Sequence, residues 1–170
     1  MPTALDGADL KILAALQEDA GRSTVELAEI AGVSQSVCWR RIQRLKDEGV
    51  IRGQVTLLDR SRLGLETQIF AEVKLSAHGR ANLADFSDAI RAFPEVMECY
   101  LLLGAVDFLL KIVTENIRAY EIFFFEKLSR LPGVQEVNSI VVFSEIKATT
   151  ALPLGDAAAV LSATHKPSSS

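Results

Sequence analysis

The stretch SVCWRRIQRLKDEGVIRG, residues 36–53, combines the residue spacing of an amphipathic helix with the densest positive charge in the chain. At 100° per residue, Cys38, Ile42 and Leu45 fall on one side of such a helix. The opposite side carries Ser36, Arg40, Gln43 and Arg44. Residues 34–53 hold five basic and two acidic side chains. This pattern predicts a helix that packs by its apolar side and presents a basic face to solvent.

Two shorter helices are predicted before the basic one. Apolar residues three and four apart follow Asp6 and predict a first helix that ends at Gly21. Ser23 and Glu26 have the spacing of a capping box, in which each side chain satisfies a free backbone amide at a helix start. The second helix is therefore expected to begin after Ser23 and to end at about Ala31.

A short turn joins the second helix to the basic helix. Gly32 and Val33 form this turn, and Ser34 is suited to cap the helix that follows. Gly49 provides a left-handed stop, and residues 50–58 are expected to form a strand or wing. The two helices and their link make a helix-turn-helix, and the strand after them makes it a winged DNA-binding domain.

The second helix of a helix-turn-helix places its N-terminal residues at base edges in the DNA major groove. Arginine can pair with guanine and glutamine with adenine. The residues better placed to contact phosphates are Arg41, Arg44, Lys46 and Arg52. A charged face on an isolated helix is more often merely solvated, but the neighbouring helix, turn and strand favour DNA binding here. The predicted DNA-contacting residues are Ser34, Gln35, Ser36, Trp39, Arg40, Arg41, Gln43, Arg44 and Lys46. For Trp39, packing against the first helix is the slightly favoured alternative.

An alternating apolar pattern begins at Thr67 and predicts the first strand of a second domain. A helix stopped by Pro94 follows it, and two β-rich runs then flank Gly104-Ala105 as the strands of a hairpin would. Asn116 can cap a further helix, and residues 137–143 predict the last strand. The order βαββαβ is the ferredoxin-like arrangement.

The outer face of this predicted sheet is more apolar than a solvated face should be. In the strand predicted at 106–113, Leu109 and Val113 lie on the side opposite the core. A slightly apolar surface is one interpretation, but packing against a second subunit is favoured, and it predicts a homodimer. The three phenylalanines at 123–125 support this interpretation, because a helix cannot turn three consecutive side chains toward its own core.

Composition limits the remaining possibilities. The net charge is −4, and residues 1–65 carry nine Lys/Arg and nine Asp/Glu, so any attraction to nucleic acid must come from local clustering. Without an apolar run of spanning length or a signal-peptide pattern, a cytoplasmic location without membrane contact is expected. Cys38 and Cys99 are predicted to be buried thiols, and no metal or cofactor is expected. Neither His78 nor His165 lies in a catalytic motif, so an enzyme is not expected.

Several separated segments resemble the Lrp/AsnC, or feast/famine, family of bacterial and archaeal transcription regulators. The likeness covers about residues 5–154 and keeps the family's order of segments. The matching segments are LDGADLKILAALQEDAGRSTVELAEIAGVS, SVCWRRIQRLKDEGVIRG, ECYLLLGAVDFLLKI, AYEIFFFEKLSRLPGVQEV and IKATTALPL.

The resemblance implies that the second domain senses an amino acid, that dimers form by packing of the sheets, and that dimers assemble into octamers. It places the effector between dimers, at the turn between the second and third strands. The corresponding residues are Leu103, Gly104, Ala105, Val106 and Asp107. Gly104 permits close backbone approach and the Asp107 carboxylate can accept from an ammonium group, although Asp107 is equally interpreted as a polar residue at a strand start. Ala105 departs from the family pattern, where an acidic or amide residue is common, and this leaves the effector's identity open.

The expected fold is α+β. It has an N-terminal winged helix-turn-helix domain at 1–52, a wing or linker strand at 53–66, a ferredoxin-like domain at 67–154 and a disordered tail at 155–170. The expected function is sequence-specific regulation of transcription in response to an amino acid or a related small molecule, with double-stranded DNA, the effector and further copies of the chain as partners. Two alternatives remain: a ligand-binding module that controls an enzyme through protein contacts, and an effector-independent DNA-architectural regulator.

Overall fold

Three short helices form the first part of the chain in the computed structural model, which describes residues 4–81 and 83–155. They are α1 at Gly7–Glu18, α2 at Thr24–Ala31 and α3 at Gln35–Asp47. Their apolar sides meet in one core that includes Ile12, Leu27, Cys38 and Ile42. The predicted helix-turn-helix is therefore present, and α3 is its second helix.

Local side-chain contacts start each of these helices. Ser23 Oγ accepts from the Glu26 amide at 3.3 Å, and the Glu26 carboxylate accepts from the Ser23 amide at 2.7 Å, so the predicted capping box is confirmed. Ser34 Oγ accepts from the Val37 amide at the start of α3. Gly32 ends α2 with a φ of 71°, a left-handed conformation that glycine adopts without a steric penalty.

Removal of the Ser23 hydroxyl tests how much this cap stabilises the helix-turn-helix. We expect Ser23→Ala to lower the free energy of unfolding by about 1 kcal/mol. The Glu26 amide loses its side-chain partner, and the reciprocal bond from the amide of residue 23 to the Glu26 carboxylate loses the geometry that holds it. Denaturant titration followed by the fluorescence of Trp39, the only tryptophan, measures this loss. The control is Glu29→Gln on the exposed side of the same helix, and an equal loss there would contradict a specific capping effect.

The strand predicted at 50–58 is absent from the described chain, and this prediction was wrong. Residues 52–58 have no regular secondary structure, and Val55, Leu57 and Leu58 are each more than two-thirds exposed. An apolar, β-prone stretch becomes a strand only when another strand supplies its hydrogen bonds, and no described strand pairs with it.

The second part of the chain folds as a four-stranded antiparallel sheet covered by helices. The strands are β1 at Thr67–Leu75, β2 at Val96–Leu101, β3 at Phe108–Thr114 and β4 at Val134–Val141. The helices are α4 at Ala77–Ala81, α5 at Leu83–Arg91 and α6 at Ile117–Glu126, and Asn116 caps α6 as predicted. The order across the sheet is β2-β3-β1-β4, which confirms the ferredoxin-like arrangement and the α+β class.

One face of the sheet packs on the helices and the other does not. Ile69, Val73 and Leu110 are fully buried on the helix side. On the opposite side Leu109 and Val113 are half-buried, in agreement with the apolar outer face predicted from the sequence. The three phenylalanines of α6 divide as expected: Phe123 is buried, Phe124 is half-buried and Phe125 is exposed.

A close glycine contact joins α4 to the turn before β4. The Gly133 carbonyl accepts from the Ser76 amide at 2.9 Å, and Gly133 itself has a φ of 83°. A Cβ at Gly133 would lie 2.4 Å from the Gly79 Cα, and a Cβ at Gly79 would lie 2.6 Å from the Gly133 carbonyl oxygen. The two backbones can approach this closely only because both positions are glycine.

The described chain divides into two compact units, and the division does not follow sequence order. The helix-turn-helix unit contains residues 4–56 and 147–155, whereas the second unit, which contains the sheet, is Leu57–Ile146. Within the first unit, Gln17 donates to the Leu152 carbonyl at 3.2 Å and accepts from the Leu152 amide at 2.7 Å. The disordered tail predicted at 155–170 lies outside the described residues from 156 onward.

Candidate functional site

The N-terminal half of α3 presents polar and basic side chains to solvent. Ser34, Gln35, Ser36 and Arg40 are all exposed, as is Lys46 near the end of the helix. Gln43 is half-buried. Among the described residues no carboxylate pairs with Arg40, so its guanidinium group can accept an outside partner. The first turns of α3 therefore provide hydrogen-bond donors and acceptors suited to base edges.

Trp39 lies on the exposed side of α3, and the favoured interpretation that it packs against the first helix was wrong. Its side chain is 56% exposed, whereas its neighbour Cys38 is completely buried. Trp39 thus borders the polar surface formed by residues 34–40. An exposed indole in this position can contact a DNA backbone or a base through its ring and its N–H.

Arg41 does not extend into solvent as predicted. Its Nη1 donates to Asp6 Oδ2 at 2.7 Å and to Asp9 Oδ1 at 2.8 Å, and its side chain is only 24% exposed. Both carboxylates lie at the start of α1. The expectation of an outward guanidinium group is therefore wrong for Arg41, because two acidic groups from another helix neutralise it.

Arg44 is paired in the same cluster but keeps more contact with solvent. Its Nη2 donates to Asp9 Oδ2 at 2.6 Å, and 41% of its side chain is exposed. Asp9 itself is 1% exposed. We name Asp6, Asp9, Arg41 and Arg44 the α1–α3 clamp. Sequence reasoning missed its acidic half, although the three-residue spacing of Asp6 and Asp9 is that of a helix-start capping pair.

The electrostatics of the α1–α3 clamp favour its ionised form. The pKa of Asp6 is lowered because its carboxylate accepts from the Asp9 amide and from the Arg41 guanidinium group. The pKa of Arg41 is raised by its hydrogen bonds to Asp9 and Asp6. At neutral pH both members therefore carry their charges, and the two helices are held by charge-assisted hydrogen bonds.

Acid should weaken this link in a defined pH range. A carboxylate whose pKa is lowered on folding stabilises the folded state above its ordinary pKa, 3.8 for Asp6, and loses that contribution as the pH falls through the lowered value. We expect the helix-turn-helix unit to lose stability below about pH 4. Trp39-monitored denaturant titrations at several pH values measure this loss. Asp6→Asn should make the decline of stability with falling pH shallower. The control Asp47→Asn, on the exposed surface of α3, should leave that decline unchanged. If Asp6→Asn declines as steeply as the wild type, the acid sensitivity does not come from Asp6.

The loop predicted to bind an effector is longer and more open than a two-residue hairpin turn. Because β2 ends at Leu101 and β3 begins at Phe108, residues 102–107 form the connection, so the two strands do not flank Gly104-Ala105 directly as predicted. Leu103, Gly104 and Ala105 are exposed, whereas Val106 is half-buried. The structure thus places these four residues together on one surface loop.

Asp107 has a structural contact that the sequence does not reveal. Its Oδ2 accepts from the Leu75 amide at 2.7 Å, and its own amide donates to the Val73 carbonyl at 3.0 Å. Both contacts fasten the start of β3 to the end of β1. The interpretation of Asp107 as a polar residue at a strand start therefore has direct support, and any ligand contact would be additional to it.

Two described cavities of the sheet-containing unit have linings that include none of the predicted effector residues 103–107. One, of about 340 Å³, is lined by α6 and by Ser139, whose hydroxyl lies 2.5 Å from Tyr120 Oη. The other, of about 380 Å³, lies between α5 and β2 and is lined in part by Arg91, Glu98 and Cys99. Cys99 is exposed, so its prediction as a buried thiol was wrong, whereas Cys38 is buried as predicted.

The described chain contains no helix that is both long and apolar enough to span a bilayer. A helix-turn-helix unit with an exposed basic helix, in one chain with a ferredoxin-like unit, defines a two-domain class of DNA-binding proteins. Comparison with family models agrees: a winged helix-turn-helix DNA-binding model matches residues 5–52, and the Lrp/AsnC ligand binding domain model matches residues 68–152. The chain belongs to the Lrp/AsnC family of transcriptional regulators.

Three similar proteins illustrate the relationship. The proline dehydrogenase transcriptional activator of Rhizobium radiobacter is 43% identical over 85% of this chain and 93% of its own length. The glutamate uptake regulatory protein of Zymomonas mobilis is 39% identical over 88% and 91%. A transcriptional regulator of Neisseria meningitidis, solved in complex with L-Met, is 37% identical, covers 90% of this chain and 99% of its own, and has a TM-score of 0.85.

Proposed function

We propose that the protein regulates transcription by reading a DNA sequence with the first turns of α3 and that an amino acid controls this binding. The observation that carries the proposal is the exposed surface formed by Ser34, Gln35, Ser36, Trp39 and Arg40 on the second helix of a helix-turn-helix. Arg40 is the group proposed to read a base, because it is exposed and has no carboxylate partner among the described residues.

Phosphate contacts are assigned more narrowly than the sequence suggested. Lys46 and Arg52 are exposed and are proposed to bind phosphates. Arg44 contributes in part, since 41% of its side chain is exposed while one nitrogen is held by Asp9. Arg41 is not assigned to phosphate, because both of its hydrogen bonds go to carboxylates within the unit.

The DNA-binding form is proposed to be at least a dimer. The half-buried Leu109 and Val113 on the outer sheet face support packing of two sheets, and a twofold dimer presents two copies of α3 to a palindromic site. Assembly of dimers into octamers follows from the family resemblance alone. Sedimentation analysis of the full chain tests both states, and a monomer at micromolar concentration would contradict them.

The effector is proposed to be an amino acid bound at residues 103–107. The L-Met complex of the similar Neisseria regulator and the names of the two curated relatives, which concern proline and glutamate, support an amino acid as the chemical class. Gly104 and Ala105 are exposed and their small size leaves room for a ligand. Thermal-shift measurements with each of the twenty amino acids test this proposal. If none raises the Tm at millimolar concentration, the effector-independent regulator is the better interpretation.

DNA binding itself is tested by a gel-shift titration with the chain's own upstream region. We expect binding tighter than that to a scrambled duplex at moderate salt, since arginine contacts to bases add to sequence-independent phosphate contacts. Equal binding to both duplexes would favour a regulatory module that acts through protein contacts. A cytoplasmic protein without catalytic activity is part of the same proposal, and the transcription-regulator names of its relatives support it.

A further inference from the structure

The most buried charge of the described helix-turn-helix belongs to Asp9, which lies on α1 and makes its contacts to α3. Its side chain is 1% exposed, and each of its carboxylate oxygens accepts from a different arginine. Oδ1 binds Arg41 at 2.8 Å and Oδ2 binds Arg44 at 2.6 Å. A carboxylate in this environment is stable only with such partners, because burial removes its hydration.

The two arginines lie on adjacent turns of α3, so the contact restrains the helix at two points. Asp6 adds a third contact, 2.7 Å from the same Arg41 nitrogen, and its other oxygen accepts from the Asp9 amide at 2.9 Å. The start of α1 is thereby fixed to α3 through one connected network. A rotation of α3 about its own axis would break both arginine contacts at once.

Arg40 precedes the first clamped arginine and lies one helical turn before the second. Residues i and i+4 occupy the same side of a helix, so Arg44 fixes the side from which Arg40 projects. Base recognition requires hydrogen bonds of about 3 Å with defined direction, and a small rotation of α3 would misplace the Arg40 guanidinium group.

We propose that Asp9 is a positioning residue for DNA recognition, which acts by holding Arg41 and Arg44 and so setting the rotation of α3. It contacts no DNA. The proposal rests on the proposed function of α3 as the base-reading helix, and it assigns Arg41 to the protein interior instead of the phosphate backbone.

Two substitutions test the proposal, with a duplex selected from a random pool by the wild-type protein and a scrambled duplex of the same composition. In Asp9→Asn we expect the ratio of specific to scrambled affinity to fall at least about fivefold, since α3 loses two of the contacts that set its rotation. In Arg41→Gln we expect the same direction of change, with the dependence of affinity on salt left as in the wild type. A phosphate ligand would instead flatten the salt slope by about 0.9 unit.

The outcomes separate this proposal from its alternatives. A variant that merely unfolds more readily loses both affinities in proportion and keeps their ratio, and this result would overturn the proposal. A flattened salt slope in Arg41→Gln with an unchanged ratio would make Arg41 a phosphate ligand and would also overturn it. If Asp9→Asn does not fold, Arg41→Gln decides, because it leaves Asp9 paired with Arg44.

The matched control is Asp47→Asn, which makes the same change of charge at an exposed residue of α3. We expect it to leave the affinity ratio unchanged, and an equal fall would show that charge, not position, produces the effect. The wild-type selection serves a separate purpose. If the random pool yields no preferred sequence, the proposed function fails before the role of Asp9 is tested.

Discussion

Gly133→Ala is expected to destabilise the ligand-binding unit by about 3 kcal/mol or more. A left-handed backbone costs a residue with a Cβ about 1–2 kcal/mol, and forced overlap in a packed region adds about 1–3 kcal/mol. Both costs apply here, since Gly133 has a φ of 83° and its Cβ would lie 2.4 Å from the Gly79 Cα. Neither backbone can yield without moving α4 away from the turn before β4.

The chain supplies a matched control and two separate optical probes for this experiment. Gly64 has a φ of 75° in the same unit but open space around the added Cβ, so Gly64→Ala should show only the backbone cost. Both tyrosines, Tyr100 and Tyr120, lie in the ligand-binding unit, whereas Trp39 lies in the other. Denaturation followed by tyrosine signals should therefore report the loss. If the two variants lose equal stability, the Gly79–Gly133 contact is not a tight one.

Arg40→Ala is expected to reduce affinity for a specific duplex by about 1–3 kcal/mol and to relax the preference at one base pair. The physical reason is the loss of a paired hydrogen bond from the guanidinium group to a guanine edge. Since Arg40 is exposed and unpaired among the described residues, its removal should leave the stability of the helix-turn-helix nearly unchanged. Gel-shift titration on specific and scrambled duplexes measures the two affinities.

Lys46→Ala is the comparison variant for Arg40→Ala. Lys46 is exposed near the end of α3 and is assigned to a phosphate, so its loss should weaken binding to all sequences alike and flatten the salt slope by about 0.9 unit. If Arg40→Ala also weakens both duplexes equally, Arg40 is a phosphate ligand and the base contact belongs to another residue.

Local sequence patterns were sufficient to predict most of the fold. The cap residues Ser23, Ser34 and Asn116 bond amides three residues away, so the information for these helix starts lies within one turn. The alternation of buried and half-buried residues in β1 and β3 likewise arises because successive side chains of a strand point toward and away from the helices. These features depend on spacing, and a sequence displays spacing directly.

Contacts between distant segments account for the failures. Asp9 and Arg44 are 35 positions apart, and a helical projection of α3 shows where a guanidinium group points but not which carboxylate of α1 meets it. The same reason applies to the Asp107 contact with the Leu75 amide, across 32 positions. The absent strand at 50–58 and the exposed Trp39 also depend on what the rest of the chain places beside them.

The grouping of residues 147–155 with α1 to α3 makes the ligand-binding unit, in sequence, an insertion within the helix-turn-helix unit. A fragment that stops at Thr56 would lack the Leu152 backbone, whose carbonyl and amide both pair with the side chain of Gln17. The helix-turn-helix unit is therefore expected to be less stable in such a fragment than in the full chain.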